Sequence, residues 1–227
     1  MDVASCYSDT HGLVRVYDLA TSKFQREFSL GSGILSLQGN GRNVLWIHTR
    51  SGHVYIFNNS FEKINDICCG GYSFCKLRIP KKCRLAALPS TEGPELLDIW
   101  DLIDINCIRR SIGVSDEKTG NAMCSLCVPQ GLLVGYDDGT LRQYGPDGAV
   151  LLRLKLFPQT DYTPDSDILI VGGPQTDLVM IQNYSKPSDH VIVRTTVCNE
   201  GFSDCAIAGN LVMTGGWDGK YDKMDKH

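Results

Sequence analysis

Short runs in which apolar and polar residues alternate recur along the whole chain, each bounded by turn-forming residues. Five read HGLVRVYDL, SGHVYIFNN, PELLDIWDL, DGTLRQYGP and TDLVMIQNY. Aligned on the bulky residue near the end of each, they place Tyr17, Phe57, Trp100, Tyr144 and Ile181 in one column. One residue earlier stand Val16, Ile56, Ile99, Gln143 and Met180, and three earlier Val14, Val54, Leu97, Leu141 and Leu178. Between those columns lie Arg15, Tyr55, Asp98, Arg142 and Val179. This is the period of two that puts one apolar face of a strand on a core. Five residues before the bulky column come Gly12, Gly52, Glu95, Gly139 and Thr176, and a sixth register near the end places Gly219 there. Glycine at that position supplies the positive φ of a tight hairpin turn.

Strands are predicted on both sides of each aligned run. Before it come 44–48, 84–88, 132–135, 168–172 and 211–215; after it come 23–28, 61–67, 106–112, 149–156 and 190–197. Still earlier runs lie at 33–37, 72–77, 122–127 and 202–207. No stretch of about 12 residues or more carries helical apolar spacing, so the chain reads as all-β. The bulky column advances by 40, 43, 44 and 37 residues. That is at or near the ~40–45 residue period of propeller blades of the WD type, each built from four strands. The segments are 1–30, 31–69, 70–113, 120–157, 158–198 and a partial 200–227, together a single propeller domain over 1–227.

Two places depart from the repeat. Between Phe157 and the run ILIVG lies only PQTDYTPDSD, polar and with two prolines, so the first strand of that blade is expected to be missing or eroded. After Gly219 the chain reads KYDKMDKH, without the apolar alternation expected of a blade strand. On a period of about 42 residues, 227 residues supply about five to six blades. The expectation is therefore an incomplete propeller, truncated at both ends, with exposed strand edges and marginal solubility.

Composition narrows the function. Net charge is −4, so no global basic field draws the chain to nucleic acid or to anionic lipid. The start, MDVASCYSDT, has an acidic second residue and no apolar run, and does not read as a secretory signal. No uninterrupted apolar run reaches the ~18 residues of a membrane span. Ten cysteines in a chain of this size, without that signal, read as reduced thiols rather than a disulfide framework. Cys6, Cys75, Cys107, Cys124, Cys198 and Cys205 stand in apolar segments, where a thiol packs as a small hydrophobe. Cys124 and Cys127, with Cys68 and Cys69, are the candidate metal ligands. On a strand, however, residues three apart point to opposite faces and cannot share one ion. Cytoplasm and nucleus are the expected compartments.

Other chemistry-bearing patterns fall short of their motifs. GGWDGK (215–220) lacks the spacing of a phosphate loop and the Ser or Thr after its Lys. Asp161, Asp165 and Asp167 miss the Gly and the bidentate Glu of a calcium loop. His11 and His53 flank turns, His190 opens a strand and His227 is terminal, so no ligand spacing emerges. The basic run KLRIPKKCR (76–84) reads as a charged blade edge rather than a nucleic-acid patch. Trp46 and Trp217 are either core residues or interaction anchors. No catalytic, cofactor or metal residues are assigned, and no small-molecule substrate is implied.

The repeats, with Trp100–Asp101 and Trp217–Asp218, resemble the WD-repeat family. The order of HGLVRVYDLAT, GGYSFCKL, CRLAALPSTEGPELLDIWDL, MCSLC, LLVGYDDGTLRQY, NEGFSDCAI and LVMTGGWDGK resembles one branch of it. That branch is the guanine nucleotide-binding protein subunit beta-like protein 1 and ASTRA-associated protein 1 family. The resemblance implies a non-catalytic protein-interaction scaffold in the co-chaperone assembly that matures phosphatidylinositol-3-kinase-related kinases, and so a link to DNA-damage signalling and chromatin. The alternative is a heterotrimeric G-protein beta-like subunit. That subunit carries a long N-terminal helix, whereas strand pattern begins here almost at Met1.

Overall fold

In the computed structural model the alternating runs become antiparallel hairpins. Described are residues 4–8, 11–18, 20–39, 44–71, 74–80, 83–113, 120–156, 161–165, 168–173, 176–184, 186, 189–197, 201–208, 211–216 and 218–225. Of the residues singled out by sequence, Tyr72, Phe157, Asp167, Cys198, Trp217 and His227 lie outside them, as do Lys81 and Lys82 of the basic run. The chain divides into two compact units, residues 1–113 and 114–227.

The first unit holds three sheets. One is β1 (Ala4–Ser8), β2 (Leu13–Asp18) and β3 (Phe24–Ser29); the next is β4 (Ile34–Gly39), β5 (Leu45–Thr49), β6 (His53–Phe57) and β7 (Lys63–Cys68). The third is β8 (Leu85–Pro89), β9 (Leu97–Asp101) and β10 (Asn106–Ile112). The second unit also holds three. They are β11 (Ala122–Val128), β12 (Gly131–Tyr136), β13 (Thr140–Tyr144) and β14 (Val150–Lys155); then β15 (Asp161–Asp165), β16 (Ile168–Gly172), β17 (Asp177–Gln182) and β18 (Val191–Thr196); then β19 (Phe202–Ala208), β20 (Leu211–Gly216) and β21 (Tyr221–Asp225). Every sheet is a meander of consecutive strands. Among the described residues three of the sheets have three strands and three have four, as in an incomplete propeller.

Alternation explains how one sheet serves two cores. In the fifth sheet Leu169, Val171, Val179 and Ile181 join Leu133 and Leu141 of the fourth, while Ile170, Leu178 and Met180 join Phe202 and Val212 of the sixth. In the second sheet Ile47 and Phe57 pack with Val14 of the first, while Trp46, Val54 and Ile56 pack with Ala86 and Leu88 of the third. Each fully buried Leu, Ile or Val contributes about 1.5–3 kcal/mol. Trp46 is fully buried and is a core residue. Gly12, Gly52, Gly139 and Gly219 have φ of 86, 77, 80 and 77°, as the turn column predicts.

Three expectations are corrected. The polar segment before ILIVG does form a strand: β15 pairs with β16 from Asp161↔Gly172 to Asp165↔Ile168. Backbone pairing does not require apolar side chains, and Pro164, which lacks a donor, sits on the first strand of its sheet. The tail after Gly219 likewise forms β21, paired with β20 from Leu211↔Asp225 to Gly215↔Tyr221. Its polar character is that of a last strand, as in β18, exposed throughout, and β3, exposed at all but one position. Conversely, residues 74–77 of the strand predicted at 72–77 are in no strand, and the third sheet has three strands among the described residues. Cys75 and Leu77 are buried as alternation requires, but the Leu77 N–H is held by a side chain, the His48 imidazole.

Candidate protein-interaction surface

Two recesses are formed by described residues of the first unit. The larger, about 580 Å³, runs between β3 and the β6–β7 hairpin and is lined by Arg26, Phe28, Leu30, Tyr55, Phe61 and Lys63 among others. Arg26 and Phe28, two apart on β3, share a face of the strand. The Phe28 ring lies 5.1 Å from that of Phe57 and 6.5 Å from that of Phe61, centroid to centroid. Phe57 is buried at the floor, while Phe28 and Phe61 are half-buried.

The turn between β6 and β7 fixes Phe61. Asn58 Oδ1 accepts the N–H groups of Ser60 and Glu62 at 2.9 and 3.0 Å, and the Phe61 N–H donates to the Asn58 carbonyl at 2.9 Å. The Glu62 carboxylate accepts the Asn58 side-chain amide at 2.9 Å. Held this way, Phe61 adopts a φ of 58°, a left-handed conformation unusual for a bulky residue.

Charge rims the recess. The Arg26 guanidinium sits 5.4 Å from the Phe61 ring centroid and donates to the Ser60 carbonyl at 2.8 Å. The Lys63 ammonium lies 5.3 Å from the Tyr55 centroid and 3.8 Å from Asp66 Oδ2. Asp66 also meets His53 Nδ1 at 2.9 Å, and the His53 ring stacks on Tyr55. Glu27 is engaged by Arg15 at 2.7 Å. Partial burial, then the Asp66 charge, raise the Tyr55 phenol above its ordinary pKa.

The smaller recess, about 360 Å³, is lined by Cys69, Gly70, Gly71 and residues 89–94. Behind Cys69 lies His48, its Nε2 3.6 Å from the thiol sulfur. Because His48 Nδ1 accepts the Leu77 N–H, the proton of the neutral ring belongs on Nε2. A nucleophilic pair needs a thiolate and a ring ready to take a proton. Here burial lowers the His48 pKa to about 4 and pushes the Cys69 thiol up to about 12. Both groups stay neutral, and the contact is structural.

The remaining sequence candidates are dispersed. Cys124, Cys127 and Cys205 are buried, Cys107 is half-buried and Cys68 is exposed. Cys124 and Cys127 lie on β11 opposite Gly135 and Leu132. Trp100 is half-buried; Asp101 beside it is buried and accepts the N–H groups of Ile103 and Asp104 at 2.8 and 3.0 Å. Burial opposes ionisation of Asp101, but these N–H groups, followed by Arg84, which donates to Oδ2, hold its carboxyl below the ordinary range. The aromatic recess went unnoticed in the sequence, and its one local signal was Asn58 three residues before Phe61.

No protein-family model matches this sequence, and no curated protein does. Among solved structures, the chain is similar to one in the crystal structure of the mitotic checkpoint complex, with a TM-score of 0.81 at 17% identity, over 98% of this chain and 71% of that one. It is also similar to the computationally designed Ika8 protein, with a TM-score of 0.72 at 14% identity, over 98% of this chain and 67% of that one. At such identities the likeness concerns the fold, which is a β-propeller.

Proposed function

We propose that this chain is a non-catalytic protein-interaction scaffold. The observation that carries the proposal is the aromatic recess beside β3: a surface groove of about 580 Å³, with apolar rings below and charged groups at its rim. His48 and Cys69 support the non-catalytic part, since burial makes the imidazole a weak base and disfavours the thiolate. The order of HGLVRVYDLAT, GGYSFCKL, CRLAALPSTEGPELLDIWDL, NEGFSDCAI and LVMTGGWDGK supports a finer assignment. On that assignment the partners are the co-chaperones that mature phosphatidylinositol-3-kinase-related kinases, in cytoplasm and nucleus. Affinity purification of the tagged chain, followed by mass spectrometry, tests both levels. Enrichment of those co-chaperones is expected; a folded chain that enriches other proteins overturns the finer assignment, and one that enriches no protein overturns the scaffold.

A further inference from the structure

We infer that the recess between β3 and the β6–β7 hairpin docks a segment of a partner protein in which a bulky aromatic side chain is flanked by carboxylates. The inference rests on the scaffold reading and specifies its contact. Shape and charge select this occupant together. Phe28, Phe57 and Phe61 form a floor on which another ring can pack edge to face or offset. The volume, about 580 Å³, accommodates a large side chain and the backbone beside it.

Among the lining side chains positive charge is in excess, Arg26 and Lys63 against Glu27, while Glu62 of the turn lies outside the lining. Glu27 is neutralised by Arg15, whereas Arg26 has no carboxylate partner among the described residues. Its guanidinium instead lies 5.4 Å from the Phe61 ring centroid, with one N–H on the Ser60 carbonyl. The guanidinium carries five N–H groups, so donors remain for an incoming carboxylate. Lys63 adds a second cation, held only at 3.8 Å by an Asp66 that is already bonded to His53. A basic segment would meet like charge here, and a purely apolar one would leave Arg26 unanswered. The φ of 58° at Phe61 recurs at Ser22 and Ile105 in the β2–β3 and β9–β10 turns and belongs to the fold; what is particular to this turn is a ring that lies near both Arg26 and Phe28.

Fluorescence anisotropy with three labelled peptides tests the inference: Trp flanked by Glu, Trp flanked by Lys, and Ala flanked by Glu. The first is expected to bind about tenfold or more tightly than the others. Arg26→Glu and Phe61→Ala are each expected to weaken it about tenfold, and Arg26→Lys, which keeps the charge, to weaken it less. Circular dichroism confirms that each variant is folded. Equal affinity for the three peptides, no binding of any, or an Arg26→Glu variant that binds as well as the parent overturns the inference. So does self-association of the chain that Arg26→Glu abolishes, which would assign the groove to a second copy. Applied to affinity purification, the same variant separates the two readings. Partners retained in full by Arg26→Glu leave the scaffold standing and overturn the groove; absence of partners from the parent chain overturns the scaffold.

Discussion

The imidazole Nδ1 of His48, at the end of β5, accepts the backbone N–H of Leu77 at 3.3 Å, from a segment 29 residues away in sequence. Both residues are fully buried. The bond anchors a stretch without strand pairing against the second sheet, where alternation alone predicts a strand. Because the acceptor must be unprotonated, the anchor is tied to pH.

Burial lowers the His48 pKa from 6.5 to about 4, so the folded state binds fewer protons than the unfolded state between those values. Stability therefore rises with pH across that window, is fully present above 6.5, and falls as the medium is acidified toward 4. The full loss corresponds to about 3 kcal/mol. Urea unfolding at a series of pH values is expected to show this slope. His48→Asn keeps an acceptor without the titration, and is expected to flatten that part of the curve. The loss of stability at lower pH to which Asp101 contributes, its carboxyl lying below the ordinary range, should persist.

Leu77 is fully buried although it belongs to no strand, and it packs with Trp46 and Leu88. Leu77→Ala is expected to destabilise the fold by about 2–5 kcal/mol in denaturant titrations. Phe74, three residues earlier in the same segment, is 64% exposed. Phe74→Ala is expected to change stability by no more than about 0.5 kcal/mol.

The turn glycines are not equivalent. A Cβ at Gly12 would lie 2.3 Å from the Ser32 carbonyl oxygen, and one at Gly52 2.6 Å from that of Cys69, whereas Gly219 meets nothing within 4 Å. Each substitution to Ala incurs roughly 1–2 kcal/mol of left-handed strain. Gly12→Ala and Gly52→Ala must in addition displace backbone of a neighbouring segment. Both are expected to lower the melting temperature clearly more than Gly219→Ala.

Cys68 and Cys69 are adjacent in sequence but differ in chemistry. Cys68 is exposed, whereas Cys69 is buried, with its thiol pushed up to about 12. Iodoacetamide at neutral pH, followed by peptide mapping, is expected to modify Cys68 within minutes and to leave Cys69 unmodified until denaturant is added.

How much of this was legible in the sequence follows from what each signal measures. The glycine column was legible because positive φ is a local demand, and Gly12, Gly52, Gly139 and Gly219 all meet it. Alternation reports burial, so it found β16 and β17, but it also marked 72–77 as a strand, where Leu77 is buried and the backbone bonds elsewhere. For the same reason it missed β15 and β21, whose backbone pairs without an apolar pattern. The recess joins Arg26 and Phe28 to Phe57 and Phe61 across two sheets, and no spacing along the chain encodes which strands become neighbours.

The Asn58 turn bears on the kinetics of recognition. Because its hydrogen bonds fix the backbone of Phe61, and Arg26 and Phe28 flank the ring before any partner arrives, ordering that side chain belongs to folding and not to docking. Immobilising such a side chain on association typically opposes binding by about 0.5–1.5 kcal/mol. Loosening the turn by Asn58→Ala, without touching a single rim charge, should therefore leave the encounter rate as it is and shorten the lifetime of the complex.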